Sequence, residues 1–274
     1  MIKEWLEYER MNRGLAESTC EEYGKDIVDF LRYLRTQTMV TRWGDVLKEH
    51  VTEYVTYLAT KGMKPATIKR RISTIRQMYQ YAWLQGLSEY NPAKYVSTPK
   101  TPRQLPKILD SHDVTRTLKD ETVDPQIRML IALIAESGLR ISEALNIRWE
   151  DIDQSTQTIR VIGKGNKERV VCYGDETAKA FAKQLRSTGR LVTGNERLIR
   201  YMIWQALKRH TVAARCSPHT LRHTWATQMV NNGAPLTTVS MLAGHVSTKT
   251  TEIYVHTAQS FLSKQYAQFK PIYT

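Results

Sequence analysis

"SGLRISEALNIRWEDIDQSTQTIRVIGKGNKERVVCYG", Ser137 to Gly174, is the stretch where the chain changes its period. Just before it, "QIRMLIALIAES" is apolar nearly all round, a pattern that predicts a central buried helix closed by Gly138. Within the stretch, Ile159 and Val161 alternate with polar neighbours, and so do Val170 and Cys172, on either side of a Gly/Asn-rich turn. Period two around such a turn predicts a short antiparallel sheet. The fold class that follows is mainly α with one small antiparallel β-sheet.

Outward from this point the pattern is helical. Towards the C-terminus, helices are predicted over about 176–186, 196–213, 218–231, 235–242 and 248–256. Towards the N-terminus they are predicted over about 111–119 and 125–137. The first hundred residues hold four more helical patterns. They cover about 2–11, the segment "LAESTCEEYGKDIVDFLRYLR" with Ser18 as its expected cap, "GDVLKEHVTEYVTYLATKG", and "KPATIKRRISTIRQMYQYAWLQG" with Pro65 at its start. On the last of these, Ile68, Ile72, Ile75, Tyr79 and Ala82 form the apolar stripe, and Lys69, Arg70, Arg71 and Arg76 lie off it. Four prolines, Pro92, Pro99, Pro102 and Pro106, punctuate an aperiodic segment. The expected organisation is a helical domain at 1–90, a linker at 91–106 and a second domain at 107–274.

The chain has 274 residues, of which 41% are hydrophobic, enough for real cores, and a formal net charge of +13. The excess is shared by both halves, so it is not a basic tail. It favours a polyanionic partner, of which nucleic acid is the leading class. Three widely spaced cysteines, Cys20, Cys172 and Cys216, make no metal-binding spacing and suggest reduced packing residues in a cytoplasmic protein. The charged, amphipathic N-terminus is unlike a signal peptide, and no apolar run reaches membrane-spanning length.

The second chemical signal is "SPHTLRHTWATQMVNNG", Ser217 to Gly233. Ser217 is a good N-cap and Pro218 suits the first helical position. At about 100° per residue, Leu221, Trp225, Ala226, Met229 and Val230 form one apolar arc, and Arg222 projects into the middle of it. His219 lies at the arc's edge. A guanidinium keeps its proton, so a buried one requires an acceptor: a carboxylate of the protein or a phosphate from outside it. Arg140 follows the glycine that ends the most apolar helix, with Glu143 placed to hold it; the pair serves structure or a ligand equally well. Lys164 sits in the hairpin turn, where a lysine is either solvated or free to swing to a substrate. His245 follows Gly244, and Tyr254 falls late in the next helical pattern, where packing is the ordinary role. Together these residues suit a phosphate-centred reaction without a metal or cofactor. Two guanidiniums would clamp oxygens, a tyrosine would form a phosphoester, and histidine and lysine would move protons.

The ordered set Arg140, Lys164, His219-x-x-Arg222, His245, Tyr254, with the flanks "SGLRISEALNIRWEDID", "GKGNKERVV" and "SPHTLRHTWATQMVNNGAPLTTVSMLAGHVSTKTTEIYVH", resembles the tyrosine recombinases, most of all the Xer type. The resemblance spans most of the chain. It implies a SAM-like core-binding domain at the N-terminus and an α+β catalytic domain beyond it. It implies that Tyr254 attacks the scissile phosphate and becomes linked to the 3′-phosphate, that Arg140 and Arg222 bind its oxygens, and that Lys164 protonates the leaving 5′-oxygen. His219 would assist at Tyr254, His245 would support the phosphate, and Glu143 would orient Arg140. It implies duplex DNA with inverted-repeat half-sites as partner and a tetramer on two sites, with room for a hetero-partner. A tail bearing Phe261, Leu262, Tyr266 and Phe269 would dock on a neighbouring subunit. Two other readings share these residues: a DNA-binding protein that kept the fold without the chemistry, and a type IB topoisomerase. Lys69, Arg70, Arg71 and Arg76 are candidate DNA contacts, to base edges or to the backbone.

Overall fold

Asp124 and Gly138 mark the ends of the helix around which the larger part of the molecule is built. The Asp124 carboxylate accepts from the main-chain N–H groups of Gln126 and Ile127, Pro125 takes the first helical position, and Gly138 turns into the left-handed region at φ 65°. The helix between them, Pro125–Ser137, buries Ile127, Met129, Leu130, Ile131, Leu133 and Ile134. The computed structural model describes residues 1–15, 17–100, 107–163, 168–184, 188–213 and 216–244. The predicted helix at 248–256 and the expected docking tail lie outside the described residues.

The chain divides into two compact units, Met1–Arg103 and Gln104–Thr274. The first contains α1 (Ile2–Arg13), α2 (Glu17–Tyr33), α3 (Lys48–Thr60) and α4 (Pro65–Leu84). Its core joins Trp5, Ile27, Phe30, Tyr54, Ile72 and Tyr79. Rings of Phe30 and Tyr33 pack tilted against Tyr54 at 5.0 and 4.9 Å between centroids. Helix α2 begins at Glu17, so Ser18 lies inside it rather than capping it.

Two expectations change here. The segment predicted to be a linker from residue 91 begins inside the first unit, where Ala93 and Val96 are buried with the core. Arg76 holds it there, donating from Nε to Ala93 O at 3.0 Å and from Nη2 to Val96 O at 3.3 Å. Prolines and lost periodicity mark the end of regular structure, and an irregular segment can still pack when main-chain carbonyls find donors. The basic face of α4 is also less free than its sequence suggests. Arg70 and Arg71 both pair with the buried Asp26, and Arg71 reaches Asp29 at 3.0 Å. Lys69 is exposed and Arg70 keeps a partly exposed side chain.

The second unit contains α5 (Ser111–Lys119), α6 (Pro125–Ser137), α7 (Ile141–Asn146), α8 (Asp175–Ala182), α9 (Glu196–His210), α10 (Pro218–Asn231) and α11 (Leu236–Ala243). Its sheet has the order β1-β2-β3, all antiparallel, with β1 at Ile152–Asp153, β2 at Thr158–Ile162 and β3 at Glu168–Cys172. Ile159 pairs with Val171, and Val161 with Arg169. The inward face of β3 is therefore Arg169 and Val171. Val170 and Cys172, whose alternation announced the strand, are exposed. Successive valines at 170 and 171 leave the face undetermined in sequence; the register with β2 decides it, and a one-residue slip exchanges the two faces. The exposed Cys172 also departs from the packing role expected of the cysteines. No helix among the described residues is long and apolar enough to cross a membrane.

Candidate active site

Arg222 is 2% exposed, in the middle of the buried face of α10. Ser217 caps that helix by accepting from the Thr220 N–H at 3.2 Å, and Pro218 opens it. These two residues set the phase that points Leu221, Trp225 and Arg222 inward. The guanidinium donates from Nη1 to Gly138 O at 2.6 Å and from Nη2 to Ala243 O at 2.7 Å. Both acceptors are main-chain carbonyls at the C-terminal ends of helices, α6 and α11, where the carbonyl groups lack partners along the helix and carry the negative end of the dipole.

Arg140 arrives at the same place from the other side. The left-handed turn at Gly138 aims the chain out of α6, and Arg140 becomes the N-cap of α7. Its main-chain N–H donates to Glu143 Oε2 at 2.9 Å and its Nη1 to Glu143 Oε1 at 2.8 Å. The same Nη1 reaches Ala243 O at 3.4 Å and Nη2 reaches Gly244 O at 3.2 Å. Ala243 O thus accepts from both arginines, which places the two guanidiniums side by side. Arg222 is buried, whereas the Arg140 side chain is 36% exposed and opens the pair to solvent.

Glu143 is 7% exposed and fully engaged. Burial alone would raise its carboxyl pKa, but hydrogen bonds from Arg169 and Arg140 outweigh it and hold the group below the ordinary carboxylate range. It is therefore an anion at neutral pH and neutralises part of the local positive charge.

His219 stands in the first turn of α10 with an exposed surface. The protein around it lowers its pKa, and the cations Arg222, Arg140 and Arg200 lower it further. The imidazole is neutral at pH 7 and can accept a proton. Its ring meets that of His223 edge-on, centroids 4.4 Å apart. His223 is driven to about 4, by burial first and then by His219 and Arg222.

The structure therefore brings together Arg140, Glu143, His219 and Arg222 from segments far apart in sequence. Lys164, His245 and Tyr254 lie outside the described residues. In the sequence, Lys164 follows β2 closely and His245 follows Gly244 directly. Lys69, Arg70, Arg71 and Arg76 belong to the other unit. Sequence reasoning missed Arg169, which forks onto Glu143, and it missed the carbonyl cluster at the end of α11. Among the described residues, no group of three or more His, Cys, Asp or Glu side chains is disposed to hold a metal.

Comparison with known proteins covers nearly the whole chain. Residues 2–86 match the model of the phage integrase N-terminal SAM-like domain, and residues 101–260 match the phage integrase family. A tyrosine recombinase XerD of Oceanobacillus iheyensis is 30% identical, with 98% of each chain covered. A tyrosine recombinase XerC of Listeria innocua is 31% identical over 98% of this chain and 97% of its own. Among solved structures, the XerH site-specific recombinase bound to palindromic difH substrate is 18% identical. It superposes with a TM-score of 0.76, covering 97% of this chain and 84% of that one. A lambda integrase (75–356) dimer bound to a COC′ core site, 15% identical, gives 0.72 over 99% and 98%. At those identities the structures show a shared fold and nothing more. The sequence matches, the fold and the paired arginines lead to one conclusion: the chain belongs to the phage integrase family, the tyrosine recombinases, enzymes that cleave and rejoin DNA.

Proposed function

We propose that the chain is a site-specific recombinase that cuts and rejoins duplex DNA through a covalent 3′-phosphotyrosyl intermediate. Tyr254 Oη attacks the scissile phosphorus while the bond to the 5′-oxygen breaks. His219 takes the phenolic proton and Lys164 delivers one to the departing 5′-oxygen, so the step balances without an outside reactant. Arg140 and Arg222 carry the charge that builds on the nonbridging oxygens, and His245 adds to that support. Glu143 orients Arg140. The phosphotyrosyl ester keeps the energy of the broken bond, so a partner strand's 5′-hydroxyl can reverse the step without ATP.

The observation that carries this reading is the pairing of two guanidiniums on one carbonyl, Ala243 O. Like charges repel, so such a pair is costly unless anions repay it. Glu143 supplies one. A phosphodiester, with two nonbridging oxygens that match a guanidinium fork, suits the solvent-facing side. The depressed His219 pKa supports its part as proton acceptor.

On this reading the chain acts as a tetramer on two DNA sites built of inverted half-sites. The helical unit holds the DNA with exposed cations, of which Lys69 and the partly exposed Arg70 are the candidates on α4. The discriminating experiment uses a nicked duplex, chosen from a random-sequence pool by its binding to the wild-type chain. The wild type should trap a covalent protein–DNA adduct on it. Tyr254→Phe should bind the same duplex and form none. An undiminished adduct with Tyr254→Phe would refute the assignment of the nucleophile, and a wild type that forms no adduct would refute the chemistry.

A further inference from the structure

Arg169 is the most heavily engaged side chain at the site that the proposed mechanism does not use. It occupies the inward face of edge strand β3, opposite Val161, with its side chain 14% exposed. It makes three well-formed hydrogen bonds. Nη1 donates to Glu143 Oε1 at 3.0 Å, Nη2 to Glu143 Oε2 at 2.9 Å, and Nε to Leu242 O at 3.0 Å. The first two form the parallel fork that only arginine offers a carboxylate. The third runs sideways to the last turn of α11. The guanidinium also lies against the α-carbon of Gly244, where an added Cβ would stand 2.9 Å from Nη1 and 3.0 Å from Cζ.

These contacts touch three parts of the site at once. Each Glu143 oxygen accepts from both Arg169 and Arg140, so Arg169 fixes the carboxylate that Arg140 leans on. The final carbonyls of α11 are divided among three arginines: Leu242 O to Arg169, Ala243 O to Arg222 and Arg140, Gly244 O to Arg140. This is the point from which the chain runs to His245 and Tyr254. Arg169 itself stands at the second residue of β3, a few residues after Lys164 in the chain.

We infer that Arg169 is a positioning residue of the recombinase reaction. Through Glu143 it sets Arg140, and through Leu242 O it ties β3 to the end of α11. The inference rests on the phosphotyrosyl reading above. Lysine keeps the charge at this position but has one donor group on a flexible stem, and it cannot make the fork and the sideways bond together. Charge alone therefore cannot replace Arg169.

The test uses the full-length chain and the nicked duplex selected by the wild type. Single-turnover adduct formation, affinity for the unnicked duplex and thermal unfolding are measured for Arg169→Lys, Arg169→Gln, Glu143→Gln and the double variant Arg169→Lys/Glu143→Gln. Arg169→Lys should slow adduct formation about 10- to 100-fold, the scale of a small misplacement of reacting groups, and leave affinity unchanged. The double variant should be no slower than the worse single one, because both act through the same pair. An Arg169→Lys rate equal to wild type overturns the inference. So does a loss of rate matched by equal losses of affinity and stability, which would make Arg169 a residue of the fold alone. Additive losses in the double variant overturn the route through Glu143. If the wild type forms no adduct, the reading of the reaction fails first and this inference falls with it.

Discussion

Replacing Gly138 by alanine tests how the core is joined to the active site. Gly138 sits at φ 65°, and a Cβ built there would stand 2.1, 2.4 and 2.5 Å from three atoms of the Trp225 ring. Ordinary carbon–carbon contact lies at about 3.5–4.0 Å, so the ring or the chain must move by more than 1 Å or so. The left-handed backbone costs a non-glycine residue about 1–2 kcal/mol. Forcing a side chain into a packed site adds about 1–3 kcal/mol. The sum is about 2–5 kcal/mol. Trp225 has little room to yield: it is 5% exposed and packs with Ala226, Val230, Val239 and Ala243. The consequence reaches the chemistry, because Gly138 O accepts from Arg222 and Trp225 lies one turn beyond Arg222 on α10. Because the chain has two units, one global unfolding curve would blur the effect. Hydrogen exchange read by mass spectrometry separates them. Peptides of α6 and α10 should lose roughly 30- to 5,000-fold in protection, the equivalent of 2–5 kcal/mol, while peptides of α1 to α4 keep theirs. Gly138→Ala combined with Trp225→Leu should cost less than the two changes added, since the new methyl enters vacated space. Unchanged protection in α6 and α10, or strict additivity, would refute the steric argument.

Two further changes probe the second unit. Glu136→Ala should cost about 2–3 kcal/mol, seen as lost exchange protection confined first to α8. Helix α8 begins after Gly174, which has no side chain to cap it, and Glu136 of α6 does so instead. It accepts from the N–H groups of Gly174, Glu176 and Thr177 and from the Thr177 hydroxyl at 2.6 Å. Wild-type protection in Asp175–Ala182 would show that the remote cap contributes nothing. The second change concerns pH. His223 is held at about 4 in the folded chain, against about 6.5 unfolded. Between those values the unfolded chain binds a proton that the folded chain refuses. The stability this contributes is complete above about pH 6.5 and drains away as pH falls towards 4. The lowered pKa of His219 acts in the same direction. Urea midpoints of the second unit should therefore fall over that window, and His223→Gln should flatten the slope. A profile as steep in the variant as in the wild type would refute the assignment.

Much of this was legible from residues alone. Gly138 closes α6, and Ser217 and Pro218 start α10, because caps and left-handed turns are satisfied by neighbours in the chain. The arc of α10 placed Arg222 inward by angle alone, and the structure finds it buried. Helix α4 is less legible on its basic face. Its apolar stripe is the buried face, yet Arg71 and Arg76, counted with the basic face, are tied to Asp29 and to the Ala93 and Val96 carbonyls. Carboxylates on another helix, and carbonyls that every residue possesses, leave no mark near the arginine that uses them.

The sequence by itself determined most of the helices, that one of them buries a cation, and which family the chain resembles. All of these depend on the order of residues within a turn or two, or on a motif read in order. The tertiary structure alone decided which face of β3 turns inward, and so that Arg169 rather than Val170 meets Glu143. It also decided that three arginines share the carbonyls ending α11. Strand register depends on a partner strand, and a carbonyl acceptor is the same atom in every residue. Neither can be known until distant segments have been brought together.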